Sequence, residues 1–171
     1  MKSTAKSVLA TVLVLAAAGA AFTHCEIPCG IYGDQTRITL LYEDVQTVEK
    51  SMEQIRELSG KNDAQSINQV VRWVSNKDAH ASKIQETVTQ YFMTQRVKPK
   101  DAGEDQDRYL QQITALHGML VQAMKAKQTV DSKHCEKLRK LIDQFSAAYF
   151  SEEDLKHIRE HHGEPHDGDH K

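Results

Sequence analysis

Only three prolines interrupt the 171-residue chain, Pro28, Pro99 and Pro165, and they leave two long stretches with none. Proline breaks helix interiors and strand ladders alike, so each stretch is free to form long regular elements. Periodicity then selects helix. Ile38, Leu41, Val45, Val48, Met52 and Ile55 alternate in steps of three and four, the seam of an amphipathic helix. Asp34 stands where an N-cap belongs and Gly60 where a helix stops, and a helix over 34–59 spans roughly 39 Å.

The same alternation returns in Ile67, Val70/Val71, Val74, Ala81, Ile84, Val88 and Tyr91, with Trp73 and Phe92 broadening the face. Residues 98–103 (KPKDAG) break the pattern. A third helix carries Leu110, Ile113, Leu116, Leu120 and Met124, and Thr129-Val130-Asp131 turns the corner. A fourth carries Cys135, Leu138, Ile142, Phe145 and Tyr149. Ser151 to Asp154 has the form of a capping box opening a short last helix with Leu155 and Ile158. No segment alternates as a strand does. The expected fold is all-α: an antiparallel up-down four-helix bundle over 34–150, followed by a short helix and polar tail over 151–171.

Residues 1–23 read as a leader. Lys2 and Lys6 precede an apolar run over 8–21 that is too short for a transmembrane helix, and small residues follow. Two cleavage sites fit, one after Ala20 and one after Thr23, and the second makes His24 the first residue. This predicts an exported protein, periplasmic or extracellular, without stable membrane insertion after processing. The remaining 148 residues are about 35% apolar, thin for a globular domain, so the narrow seams point to a homo-oligomer. They carry 20 basic against 24 acidic residues, a mild acidic balance that argues against a nucleic-acid or anionic-membrane partner. Three cysteines are too few for a disulfide scaffold.

The chemistry concentrates in His24-Cys25-Glu26-Ile27-Pro28-Cys29-Gly30-Ile31-Tyr32, within an N-terminal segment over 24–33. A bare C-x-x-x-C fits a small disulfide loop or half of a zinc site. His24 directly before Cys25 adds a further option. As the N-terminus, its α-amine, the Cys25 backbone nitrogen and the Cys25 thiolate close two adjacent five-membered chelate rings. The Cys29 thiolate completes a square plane, and the His24 imidazole approaches along the axis. Square-planar nitrogen and sulfur donors suit nickel(II) or copper(II), whereas zinc prefers a tetrahedron. Two thiolates and an anionic amide also stabilise a higher oxidation state, and one-electron cycling beside a proton source can disproportionate superoxide.

This stretch resembles the nickel hook of nickel superoxide dismutases. Arg37-Ile38 resembles the start of that family's first helix, and Gln90-Tyr91-Phe92 a later stretch. The resemblance implies a hexameric four-helix bundle whose leader is removed to expose the histidine. It implies nickel as cofactor, superoxide as substrate, and His24, Cys25 and Cys29 as metal ligands. It also implies that Tyr32 stands beside the open face of the metal, gating small anions and holding water for proton delivery. Pro28 would follow a cis peptide bond, and Gly30 would permit the tight backbone path. The chain departs from the family pattern at Glu26, where aspartate is usual. It departs again at Thr39, where a glutamate orients the histidine (Glu43 is the nearest acid), and near Asn76, where an arginine is expected (Arg72 is offset). An exported nickel- or copper-binding protein without turnover, and a helical module with a Cys25–Cys29 disulfide, are the other readings of the residues.

Cys135, on a helix seam, reads as a buried apolar residue, and Trp73 as packing. His80, His117 and His134 show no paired ligand spacing. His157, His161, His162, His166 and His170 crowd the tail, which reads either as a solvated end or as a tract that captures divalent metal.

Overall fold

The computed structural model describes residues 30, 32–99 and 105–156. The chain divides into two units, Met1–Ile31 and Tyr32–Lys171, and all the helices described belong to the second. Among the described residues there is helix and no strand. Helix α1 spans Asp34–Leu58; α2 spans Ala64–Glu86 and runs on into a π-helical segment, Thr87–Arg96; α3 spans Gln106–Lys127 and α4 spans Lys133–Tyr149. They pack as a helical bundle, α1 on α2, α2 on α3, α3 on α4 and α4 on α1, around one core. No helix of the described residues is long and apolar enough to cross a membrane.

The first and fourth seams are buried throughout: Ile38, Leu41, Val45, Val48, Met52 and Ile55 in α1, and Cys135, Leu138, Ile142 and Phe145 in α4, with Tyr149 packed against them. The other two seams differ from expectation. In α2 the burial begins at Lys77 and Ala81, apart from Ser66, while Ile67, Val71 and Val74 are exposed. The cause is length. The Lys77 ammonium donates to the carbonyls of Ala126 and Lys127, the last residues of α3, at 2.9 and 2.5 Å. Residues before Lys77 therefore overhang the end of α3. In α3 the buried line is Ala115, Leu116, Met119, Ala123 and Ala126, so Leu110 and Met124 turn to solvent. Gly118 lies on the side facing α4: a Cβ there would stand 2.8 Å from Leu141 Cδ2, so that side chain would have to shift to admit one.

Helix ends are closed largely by side chains from neighbouring elements. Asp63 caps α2 by accepting from Ser66 N and Oγ, at 2.9 and 2.6 Å. Arg108 donates to the carbonyls of Ala148 and Tyr149, and Gln112 to that of Ala148, satisfying the C-terminal carbonyls of α4. Residues 152–156 are helical, and Ser151 and Asp154 bond each other reciprocally, backbone to side chain in both directions.

The π segment positions the functional end. Thr94 Oγ1 donates to the Thr89 carbonyl and Gln95 Nε2 to the Gln90 carbonyl, five residues back in each case. Val97 N donates to the Phe92 carbonyl at 2.8 Å. The wider turn lets Val88, Tyr91, Phe92 and Gln95 all be buried while Arg96 reaches the start of α1.

Candidate functional site

The expected ligands His24, Cys25 and Cys29 lie outside the described residues, as do Glu26, Pro28, the leader and the five tail histidines. Of the segment over 24–33, the structure describes Gly30, Tyr32 and Gly33. Gly30 has φ +80°, in the left-handed region that disfavours any residue with a Cβ. A Cβ there would meet nothing within 4 Å, so the backbone angle, not crowding, is what requires glycine.

Tyr32 leads into α1, is 39% exposed, and has two neighbours against its ring. The Arg96 guanidinium lies over the ring, 4.1 Å from its centroid. Tyr91 meets it edge to face, centroids 6.0 Å apart and planes at 79°. Both neighbours converge on Asp34. Arg96 grips that carboxylate with two nitrogens, Nε at 2.9 Å and Nη2 at 2.7 Å. The Tyr91 hydroxyl donates to it at 2.6 Å and the Tyr149 hydroxyl at 2.8 Å. The expectation that Asp34 caps α1 is not met: Gly33 occupies the cap position without a side-chain bond, and Asp34 is the first helical residue. Burial works to raise the Asp34 carboxyl, but the bonds from Arg96, Tyr91 and Tyr149 outweigh it and hold the group below the usual carboxylate range. Burial, and then Asp34, push the Tyr91 hydroxyl up to about 12 and raise that of Tyr149 as well.

Behind this hub runs a chain of rings, Tyr91 to Phe92, Phe92 to Phe145 and Tyr149, and Tyr149 to Phe150, with centroids 4.8 to 5.8 Å apart. Beside it opens a cleft of about 480 Å³, lined by Tyr32, Asp34, Gln35, Tyr149, Phe150 and Asp154 among others.

The residues expected to support the histidine do not gather here. Thr39 hydroxyl donates to the Gln35 carbonyl of its own helix, and Glu43 is exposed. Asn76 donates to Ser51 Oγ, near the other end of α1, and Arg72 is exposed. The acid that does find a histidine is Asp44, whose carboxylate lies 2.6 Å from His80 Nδ1. His134 Nδ1 lies 2.8 Å from Gln122 Oε1, and His117 is exposed. Arg96 carries no signal in the sequence: it lies 62 residues from Asp34, and no local pattern joins them.

Among the described residues no group of three or more His, Cys, Asp or Glu side chains is placed to hold a metal ion. Cys135 is fully buried, beside the sulfur of Met52 at 3.9 Å, and burial pushes its thiol up to about 12. It stays protonated and packs as an apolar residue.

Comparison with known families completes the picture. The family model for nickel-containing superoxide dismutase matches residues 16–153, most of the chain and all of the segment over 24–33, and the chain belongs to that family. It is thereby an oxidoreductase, with superoxide as substrate and nickel as cofactor. No curated protein and no solved structure matches it.

Proposed function

We propose that the mature protein disproportionates superoxide at a nickel ion held by His24, Cys25 and Cys29. The observation that carries this reading is the family match, whose span over 16–153 includes the segment over 24–33. The donor chemistry fits nickel. The chain has three cysteines, and the burial of Cys135 leaves Cys25 and Cys29 as its two remaining thiols. Held by two thiolates, an amide nitrogen and an amine, nickel supplies a one-electron Ni(III)/Ni(II) couple, by which two superoxide anions and two protons become oxygen and hydrogen peroxide.

The chain's own residues do the rest. His24 gives its α-amine and imidazole, Cys25 its backbone nitrogen and thiolate, and Cys29 its thiolate. The left-handed turn at Gly30 follows directly on Cys29. Tyr32 is three peptide steps from Cys29, a span of no more than about 11 Å. Its ring excludes bulky molecules, and its hydroxyl orders water from which the departing peroxide takes protons. Because the α-amine is a donor, the leader must be removed after Thr23, and the protein is exported. The architecture is an antiparallel up-down four-helix bundle preceded by this hook. The exposed Ile67, Val71 and Val74 support a homo-oligomer, a hexamer by family resemblance.

The test compares two forms of the protein that differ only at the N-terminus. Protein beginning at His24 should bind one nickel per chain and accelerate superoxide loss above free nickel. The same chain with one extra residue ahead of His24 should lose activity, because its amine becomes an amide. Activity retained in the extended chain overturns the hook geometry. Tight nickel binding without turnover in the chain beginning at His24 leaves a nickel-binding protein instead.

A further inference from the structure

Among the described residues the hydroxyl of Tyr32 makes no hydrogen bond, and its ring meets Tyr91 and Arg96. Of these, the Arg96 guanidinium carbon, 4.1 Å from the ring centroid, is the nearer. An arginine side chain has four rotatable bonds and would ordinarily sample many positions over a ring. Here it does not: three contacts with the Asp34 carboxylate, at 2.7, 2.9 and 3.1 Å, hold it, and the hydroxyls of Tyr91 and Tyr149 hold that carboxylate in turn. The frame joins the first residue of α1, the π segment and the last residue of α4.

We infer that the Asp34–Arg96 pair is a positioning device for Tyr32 in the dismutase reaction, fixing the ring through the flat face of the guanidinium; this rests on the gating role proposed for Tyr32. The charge on Arg96 is matched by that on Asp34, so the pair adds no net charge at the cleft. Its contribution is orientation, not attraction of the anion. Planarity is the property that matters, and lysine, which can keep an ion pair with Asp34, cannot supply it.

The experiment compares Arg96→Met, Arg96→Lys and Tyr32→Phe in the processed, full-length chain. The first readout needs no turnover: NMR of the metal-free protein labelled with ¹³C in its tyrosine rings, with the Tyr32 signal assigned by its loss in Tyr32→Phe. Tyr32 should resonate away from free tyrosine in the wild type, and move to the free position in both Arg96 variants. In the nickel-loaded proteins turnover should fall roughly tenfold in both, the scale expected when a reacting group loses its orientation. Nickel content should stay at the wild-type value in both variants, and the dependence of rate on ionic strength should stay there in Arg96→Lys, which keeps the charge.

Should Arg96→Met fail to fold, Arg96→Lys decides alone. A Tyr32 signal and turnover unchanged in Arg96→Lys overturns the inference, since charge without planarity would then suffice. Wild-type turnover in Tyr32→Phe would overturn the gating reading itself. In that case a displaced Tyr32 signal in the Arg96 variants would still support the placement of the ring by the pair.

Discussion

The two ends of α2 and its continuation carry similar apolar content and treat it in opposite ways. Toward Tyr32, Val88, Tyr91, Phe92 and Val97 are buried, locked by ring contacts and by the Asp34 hub. At the other end Ile67, Val71 and Val74 form a stripe at helical spacing that faces solvent. The difference is one of partners. Near Tyr32 three other helices surround the segment, whereas the first three turns of α2 run past the end of α3. An apolar stripe says which face of a helix wants cover; it does not say that cover is supplied by the same chain.

Substitutions at the two ends should therefore differ sharply. The largest effect is expected for Phe92→Ala, which removes a fully buried ring in contact with Tyr91, Phe145 and Tyr149 and should cost about 3–5 kcal/mol in denaturant unfolding. A loss below about 1 kcal/mol would show that the aromatic chain is not the core of this end. Asp34→Ala should come next, at about 3 kcal/mol, because it leaves the half-buried Arg96 unpaired and two hydroxyls without an acceptor.

The same hub predicts a pH dependence. A carboxyl held below its ordinary pKa contributes stability that is present above about pH 4 and lost as pH falls below it. Tyr91 works in the reverse sense: its raised pKa contributes stability that is present below about pH 10 and lost as pH rises toward about 12. Thermal unfolding of wild type and Asp34→Asn across both limbs checks this, and the acid limb should flatten in the variant.

Lys77→Met marks the boundary between the two ends. It strips the donor from two carbonyls at the end of α3 and should cost about 1–2 kcal/mol, with amide exchange quickening in residues 124–127 first. The smallest effect on the fold of a single chain belongs to Val71→Lys, within about 0.5 kcal/mol at a site 60% exposed. In the proposed homo-oligomer the same change should lower the mass measured by analytical ultracentrifugation. An unchanged mass would place the subunit contact elsewhere.

Much of this molecule is legible in its residues, and the exceptions are instructive. The seams of α1 and α4 can be read at each position because large aliphatic side chains mark them. The α3 seam misleads for the opposite reason: Ala115, Ala123 and Ala126 carry little hydrophobic signal, yet they are buried. The larger Leu110 and Met124 point to the wrong face. The N-terminal half of α2 misleads because periodicity is blind to the lengths of other helices. At the site, the hook motif is legible as a local pattern of donors, and Gly30 shows the backbone angle that such a turn needs. The Asp34–Arg96–Tyr91–Tyr149 hub is not, since its members lie 57 to 115 residues from Asp34 and only folding joins them.

The π segment makes residue count itself a structural variable. Its ladder accommodates extra chain within an otherwise ordinary helix, so deleting a single position from Thr87–Arg96 would let the winding tighten. Residues within the segment would then change the face they present, while the helix on either side keeps its register. The guanidinium would be carried off the tyrosine without any change in the side chains that meet there, and a shortened loop elsewhere could not bring it back. Evolution can thus retune the mouth of this protein by indel as readily as by substitution.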